Sequence, residues 1–182
     1  MKKKENRSDN QEEIRWFITV FFTTFILSLL FSFISTTAIN DLEIIPAIII
    51  LIVVIFIGII FDLVGVAVTV ASEHDFHAMA SKKVSGAKTS IRLIRASSKV
   101  ANICADVIGD ICGVLSGAIS AIIAIKLAEK ITINIQLQFI MSALVASITV
   151  GGKALGKSFA KNNSTKIIKI VGTLISGFDR KK

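Results

Sequence analysis

Hydrophobic and polar positions are grouped in this chain into unusually long blocks. Three stretches, residues 16–38, 44–61 and 131–152, contain no charged residue, and a fourth, residues 100–125, contains only two aspartates. Each is long enough to cross a hydrocarbon core about 30 Å thick as a helix that rises about 1.5 Å per residue. Because lipid cannot satisfy backbone polar groups, the pattern predicts an all-α membrane protein with about four transmembrane helices.

Composition supports the membrane interpretation. Of the 182 residues, 53% are hydrophobic and 19% are charged, which is too apolar for a domain whose surface is covered by water. The four long blocks leave no soluble domain, and no serine, histidine and acid constellation is evident. We therefore expect a protein that is not an enzyme.

The net charge of +8 is distributed unevenly. Lysine and arginine gather before Trp16, between residues 73 and 99, and after Gly152, whereas residues 39–43 contain none. The positive-inside rule then predicts a multi-pass protein of the cell membrane with both termini and the middle loop in the cytoplasm. The basic excess thus indicates contact with the lipid bilayer and not with nucleic acid.

These patterns divide the chain into four parts. Residues 1–15 are predicted to form a disordered cytoplasmic tail, and residues 16–38 an N-terminal transmembrane helix without ionisable side chains. Residues 44–178 form a three-span membrane domain that ends in an amphipathic helix, and residues 179–182 form a basic tail. Within that domain, apolar residues recur at helical spacing between basic residues over 73–99, which predicts a juxtamembrane amphipathic helix on the cytoplasmic interface.

Two segments resemble the membrane domain of the CorC and cyclin M (CNNM) family of magnesium transporters. The first, residues 61–95, reads FDLVGVAVTVASEHDFHAMASKKVSGAKTSIRLIR and is similar to the family pattern FFSxSETALxSxxRxRLxxLAxxGxxxAKxxLxLL. The second, residues 152–163, reads GKALGKSFAKNN and lines up with GEILPKxLAxRN. The positions shared in the first segment are Ala67, Ala78, Ala80, Gly86, Ala87, Lys88, Ile91, Leu93 and Ile94.

The resemblance implies a homodimer that moves Mg²⁺ or a related divalent cation across the membrane. The chain also departs from the family pattern, and the departures fall on charged or conformationally restricted positions. Asp62 replaces a serine, Val64 and Gly65 replace Ser-Glu, and Lys153 and Gly156 replace the Glu and Pro of the last helix. The span at 16–38 is additional, and the family's soluble nucleotide-sensing domains have no counterpart in these residues.

Acidic residues inside the predicted spans are the chemical centre of the sequence. An aspartate at membrane depth costs roughly 2.5–3.5 kcal/mol on insertion scales, so each one needs a partner or a water-filled cavity. Asn102, Asp106 and Asp110 are spaced i, i+4 and i+8, which predicts one helix stripe facing a single neighbour. Asp62 and Asp110 are both expected about 15 Å from the cytoplasmic ends of their helices.

Two interpretations of these residues remain open. Carboxylate and amide oxygens are ligands that Mg²⁺ prefers, so Asp62, Asn102, Asp106 and Asp110 form a candidate cation site for a transporter. Lys153, which follows Gly152 at the inner end of the last span, lies within reach of this zone. The alternative is that Lys153 neutralises an aspartate in a network without metal, in a transport-inactive scaffold or regulatory subunit of another membrane protein.

One further motif needs an explanation. Residues 151–158, GGKALGKS, match the phosphate-binding loop pattern G-x-x-x-x-G-K-S. That loop requires a surrounding parallel sheet, whereas this segment ends a predicted membrane span. We therefore do not interpret it as a nucleotide site.

Overall fold

Helix follows helix throughout the described chain. The computed structural model describes residues 2–131 and 136–179, and no strand occurs among them. Four helical stretches are long and apolar enough to cross a membrane, which confirms the prediction of an all-α polytopic membrane protein. The elements are α1 (Lys2–Asn40), α2 (Ile44–Val70), α3 (Glu73–Ser81), α4 (Ala87–Arg95), α5 (Ser97–Ala101), a π-helical segment (Asn102–Ile108), α6 (Gly109–Ile131), α7 (Gln136–Asn162) and α8 (Ser164–Asp179).

The second candidate span, α2, is the central helix of the bundle. It packs against α6, the π-helical segment and α7, and α6 and α7 also pack against each other. From Ala47 to Gly65 its buried residues recur every three or four positions, as expected for one face of a helix, and burial widens at Ala67 and Val68 where the terminal helices pack. The buried residues are Ala47, Leu51, Ile55, Gly58, Asp62, Gly65, Ala67 and Val68.

The first candidate span lies at the periphery. None of the residues in its most apolar window is buried, and its contacts are made mainly with α6, where Val20 and Leu27 pack beside Ile111. The helix begins at Lys2, so residues 2–15 are helical. The sequence predicts a disordered tail here, and for these residues that prediction is wrong. These residues include no glycine or proline, and an established apolar helix extends readily into such a segment.

Helices α3, α4 and α8 form one layer at the end of the bundle where α2 and α7 end and α5 begins. We call it the terminal layer. Its core joins Phe76 of α3, Ile91 of α4 and Ile168 of α8, all of them buried, to the last turns of α2 and α7. The layer therefore closes one end of the four-helix bundle.

The segment predicted as a single helix over residues 73–99 is helical but interrupted. The chain turns at residues 82–86, where Lys83 has φ 56° and Gly86 has φ 80°. At Gly86 a side chain is excluded sterically as well as conformationally, since a Cβ atom there would lie 2.5 Å from the backbone N of Thr173. The break lets α4 fold back and pack tightly against α8.

Two predicted regions lie partly outside the described residues. The fourth predicted span, 131–152, includes residues 132–135, and the predicted basic tail, 179–182, includes residues 180–182. Within the described chain, α7 starts at Gln136 and α8 ends at Asp179.

Candidate intramembrane charge site

The site is formed where α2 closely contacts the third candidate span, Ser97–Glu129, which comprises α5, the π-helical segment and most of α6. A Cβ atom on Gly58 would lie 2.9 Å from Cβ of Cys112, and one on Gly65 would lie 3.3 Å from the carbonyl oxygen of Ala101. The two glycines therefore allow the helix backbones to approach, as small residues do at helix interfaces in membranes. Asp62 lies between them along α2, within this contact.

Asp62 is a buried carboxylate without a complete set of partners. The residue is 5% exposed, and its Oδ2 atom has no hydrogen-bond partner among the described residues. The nearest cation is Lys157 of α7, whose Nζ atom lies 3.9 Å from Oδ2. This distance allows Coulombic attraction but is too long for a hydrogen bond.

Asp110 faces the preceding turn of α7. Lys153 Nζ lies 3.8 Å from Asp110 Oδ1 and 3.4 Å from the carbonyl oxygen of Gly109, to which it donates a hydrogen bond. The Asp110 side chain is 70% exposed, whereas that of Lys153 is 19% exposed. This aspartate thus keeps an open side that Asp62 lacks.

The two ion pairs are one helical turn apart because the lysines occupy positions i and i+4 of α7. That spacing corresponds to about 6 Å along the helix. Asp62 and Asp110, which come from separate spans, therefore lie within about one turn of each other in depth. Lys153 thus lies beside Asp110, while the neighbour of Asp62 is Lys157.

The GGKALGKS motif finds its explanation in this contact. The segment is an uninterrupted part of α7, so its backbone amides belong to the helix and form no phosphate-binding loop. Gly152 and Gly156 pack against Ile59 of α2, and a Cβ atom on Gly152 would lie 2.5 Å from Cδ1 of that residue. The glycines bring α7 close to α2, and the lysines that follow each glycine reach the aspartates.

Asp106 does not join the other two aspartates. It is exposed and lines a groove of about 460 Å³ together with residues of α1, including Phe21 and Thr24. Asn102 is half-buried, and its side chain makes no hydrogen bond with the described residues. The prediction that Asn102, Asp106 and Asp110 face one neighbour is therefore wrong.

The third span is not a regular α-helix between these residues. Residues 102–108 follow i to i+5 hydrogen bonding, so the period of 3.6 residues assumed from the sequence does not hold between Asn102 and Asp110. The different neighbours of Asp106 and Asp110 follow from where the other helices pack: α1 lies beside Asp106, and Lys153 of α7 lies beside Asp110. Single π-helical turns within α-helices are frequent at functional sites.

The donor set is poor in anionic and imidazole ligands. Within residues 2–131 and 136–179, no group of three or more His, Cys, Asp or Glu side chains is placed to hold a metal ion. A divalent cation bound between Asp62 and Asp110 would therefore complete its shell with water, amide or backbone oxygens, which Mg²⁺ accepts.

Comparisons with known proteins found no matching family model, no matching curated protein and no matching solved structure.

Lys157 is the functional residue that sequence reasoning missed. It lies beyond the charge-free run that defines the fourth predicted span, where a lysine resembles an ordinary interfacial residue. The signal that identifies it is its spacing of four from Lys153, combined with the same spacing of Gly152 and Gly156. The sequence gives no comparable signal for the π-helical segment.

Proposed function

We propose that this protein is a transporter of the CorC and cyclin M type that moves Mg²⁺ or a related divalent cation through the site around Asp62 and Asp110. The observation that carries the proposal is the buried Asp62 carboxylate, one oxygen of which lacks a hydrogen-bond partner among the described residues. Ionisable groups at membrane depth are rare and are typically retained for ion or proton pathways. The sequence resemblance points to the same chemistry.

Lys153 and Lys157 give the proposed cycle its second state. Each ammonium group lies within 4 Å of an aspartate and compensates its charge when no other cation is bound. A divalent cation at the same carboxylates repels these ammonium groups and displaces them on their flexible stems. Cation binding and lysine pairing are then mutually exclusive. When the cation leaves, the lysines pair with the aspartates again, and the empty site becomes neutral.

In this proposal Asp62 and Asp110 are the principal ligands. Asn102 supplies an amide oxygen from the start of the π-helical segment, and Asp106 acts at the entrance on the α1 side. In the proposed arrangement the protein is a homodimer in the cell membrane. Both termini and the terminal layer lie in the cytoplasm, in agreement with the positive-inside rule.

A second candidate function is a transport-inactive scaffold or regulatory subunit of another membrane protein. The observation that favours it is the same pairing, since two lysines already neutralise the two aspartates. In this alternative the ion pairs fix the packing of α7 on α2 and on the third span. Replacement of both aspartates by asparagine is then tolerated, and the protein is isolated with a stoichiometric partner.

Flux measurements in proteoliposomes test the proposal. Purified protein is reconstituted, and entry of Mg²⁺, Co²⁺, Na⁺ and protons is followed for the wild type, Asp62→Asn and Asp110→Asn. Asp41→Asn is the matched control, because Asp41 lies in the turn between α1 and α2, outside the candidate spans. We expect divalent-cation flux to fall at least about tenfold in the two site variants, because each variant loses one strong charged interaction with the cation. The flux of the control should be unchanged. If folded wild-type protein moves no cation, the transport proposal is contradicted and the scaffold or regulatory subunit becomes the favoured function.

A further inference from the structure

The turn between α3 and α4 forms a cavity of about 520 Å³ together with α8. This cavity lies outside all four candidate spans, between the end of α2 at Val70 and the start of α5 at Ser97. It is separate from the aspartate and lysine pairs described above. The lining residues that matter for its chemistry are Lys83, Ser85, Gly86, Lys88, Thr89 and Ser176.

The charge of the cavity lining is positive and uncompensated. Lys83 and Lys88 line it, and no acidic residue does. Neither lysine forms an ion pair with any residue of the described chain, in contrast to Arg95 on the same helix, which pairs with Glu73. Both ammonium groups therefore remain available to an anion.

A largely buried threonine lines the same cavity. Thr89 is 8% exposed and lines the cavity, yet its side chain makes no hydrogen bond with the described residues. A buried polar group usually has a partner in the protein or in a bound molecule. Thr89 is the third residue of α4, and the backbone N–H groups of Lys88 and Thr89 have no backbone acceptor in the described chain, whereas that of Ser90 donates to Gly86.

The cavity walls are fixed by direct contacts between α4 and α8. Ser90 Oγ donates a hydrogen bond to the carbonyl oxygen of Ile168 at 3.0 Å, and Thr173 Oγ1 donates one to that of Ser85 at 3.2 Å. A Cβ atom on Gly172 would lie 2.8 Å from the carbonyl oxygen of Gly86. The terminal layer therefore holds the α4 N-terminus in a fixed position, with the exposed Lys83 and Lys88 at its edge.

We propose that this cavity binds a phosphate group. The positive end of the α4 dipole, the free first-turn amides and the Thr89 hydroxyl supply directed hydrogen bonds, and Lys83 and Lys88 supply charge. The group is carried either by an anionic phospholipid of the adjacent leaflet or by a soluble phosphate. The site is independent of cation transport and remains testable if the transporter proposal fails.

Binding to the full-length protein in lipid nanodiscs tests the site in two arms. In the first arm, protein in phosphatidylcholine nanodiscs is titrated with inorganic phosphate by calorimetry. In the second arm, native mass spectrometry counts the phosphatidylglycerol molecules retained from mixed nanodiscs. The cavity variants are Thr89→Val, which removes the hydroxyl at nearly constant volume, and the double variant Lys83→Gln/Lys88→Gln.

The matched control is Lys166→Gln/Lys169→Gln, which removes the same charge from exposed positions of α8 in the terminal layer. We expect the cavity variants to weaken binding at least about tenfold, while the control retains wild-type affinity. An effect in the first arm identifies soluble phosphate as the ligand, and an effect in the second arm alone identifies the lipid headgroup. Absence of binding to the wild type in both arms, or equal losses in the cavity and control variants, would overturn the proposal. Rescue of binding by Thr89→Ser separates the role of the hydroxyl from a folding defect.

Discussion

The Nζ atom of Lys157 lies 3.9 Å from Oδ2 of Asp62, and the two side chains differ sharply in exposure, at 52% for the lysine and 7% for the aspartate. The lysine is therefore free to move, while the carboxylate is fixed inside the helix contact. This asymmetry makes the lysine the natural place to perturb the pair.

Removal of the ammonium group should destabilise the bundle through Asp62. In Lys157→Met the buried carboxylate loses the one ammonium group that lies within 4 Å of it among the described residues, and we expect a loss of about 1–3 kcal/mol in unfolding free energy. Adding Asp62→Asn to this variant should restore most of the loss, because no buried charge is then left unpaired. Thermal unfolding in detergent measures both effects. Lys161→Met, one turn further along α7 and exposed, should be silent, and an equal effect of both lysine variants would contradict the pairing.

Two helical glycines should respond in opposite ways to alanine. A Cβ atom on Gly58 would lie 2.9 Å from Cβ of Cys112, which cannot move without its backbone, so Gly58→Ala should destabilise by about 1–3 kcal/mol. Gly113 has no heavy atom within 4 Å of the equivalent position, so Gly113→Ala should be neutral or stabilise by up to about 1 kcal/mol. Unfolding temperatures of the two variants, measured side by side, test the contact between α2 and the third span. A stable Gly58→Ala protein would show that the helices are further apart.

Acid should weaken the contact between α3 and α4. Hydrogen bonds to Glu73 from Arg95 Nε, at 2.7 Å, and from His77 hold the pKa of the Glu73 carboxyl below its usual value of 4.5. The stabilisation is fully present above pH 4.5 and is lost as the pH falls below that value through the lowered pKa. Hydrogen exchange of α3 and α4 amides should therefore accelerate below pH 4.5 in the wild type.

The matched comparison for this pH effect is Glu73→Gln. Its α3 and α4 amides should exchange faster than those of the wild type at pH 7, and the additional acceleration below pH 4.5 should be reduced. An unchanged acid response in the variant would mean that other carboxylates control this layer.

Lys126 should be required for the connection between the first two spans. Its Nζ atom donates hydrogen bonds to the carbonyl oxygens of Ile39, at 2.8 Å, and Leu42, at 2.5 Å, where α1 ends. Charged donors to helix-terminal carbonyls contribute about 1.5–3 kcal/mol, so Lys126→Met should lower the unfolding free energy by that amount. Glu129→Gln, an exposed charge change nearby on α6, should have little effect on thermal unfolding. Equal stability of the two variants would contradict the role of the lysine.

The number and order of the membrane spans can be predicted from the sequence because they depend on the length of charge-free runs. Such runs predict the number of spans, and the structure confirms four candidate spans. The break at residues 82–86 was missed, since helical spacing of apolar residues continues across it. Gly86 carried a signal for a turn, but the left-handed conformation of Lys83 did not.

The candidate site was only partly predictable for a related reason. Asp62, Asp110 and Lys153 are conspicuous because charge in or beside an apolar run is rare; in the structure Lys153 lies beside Asp110, whereas Asp62 lies beside Lys157. The neighbour of Asp106 depends on where α1 packs, and no regular period in the sequence encodes that packing. Divalent-cation transport and the homodimer stay predictions.

The π-helical segment links the orientation of the two ends of the third span. Before it, Lys99 Nζ lies 5.6 Å from the centre of the Trp16 ring of α1, and after it Asp110 faces Lys153 of α7. A π-helical turn holds one residue more than the α-helical turn it replaces, so deleting one residue from 103–107 would convert the segment to α-helix and leave its two ends close to their present orientation. The third span can therefore lose a residue here and keep its neighbours on α1 and α7, whereas the same deletion from its α-helical part would rotate the residues beyond it by about 100°.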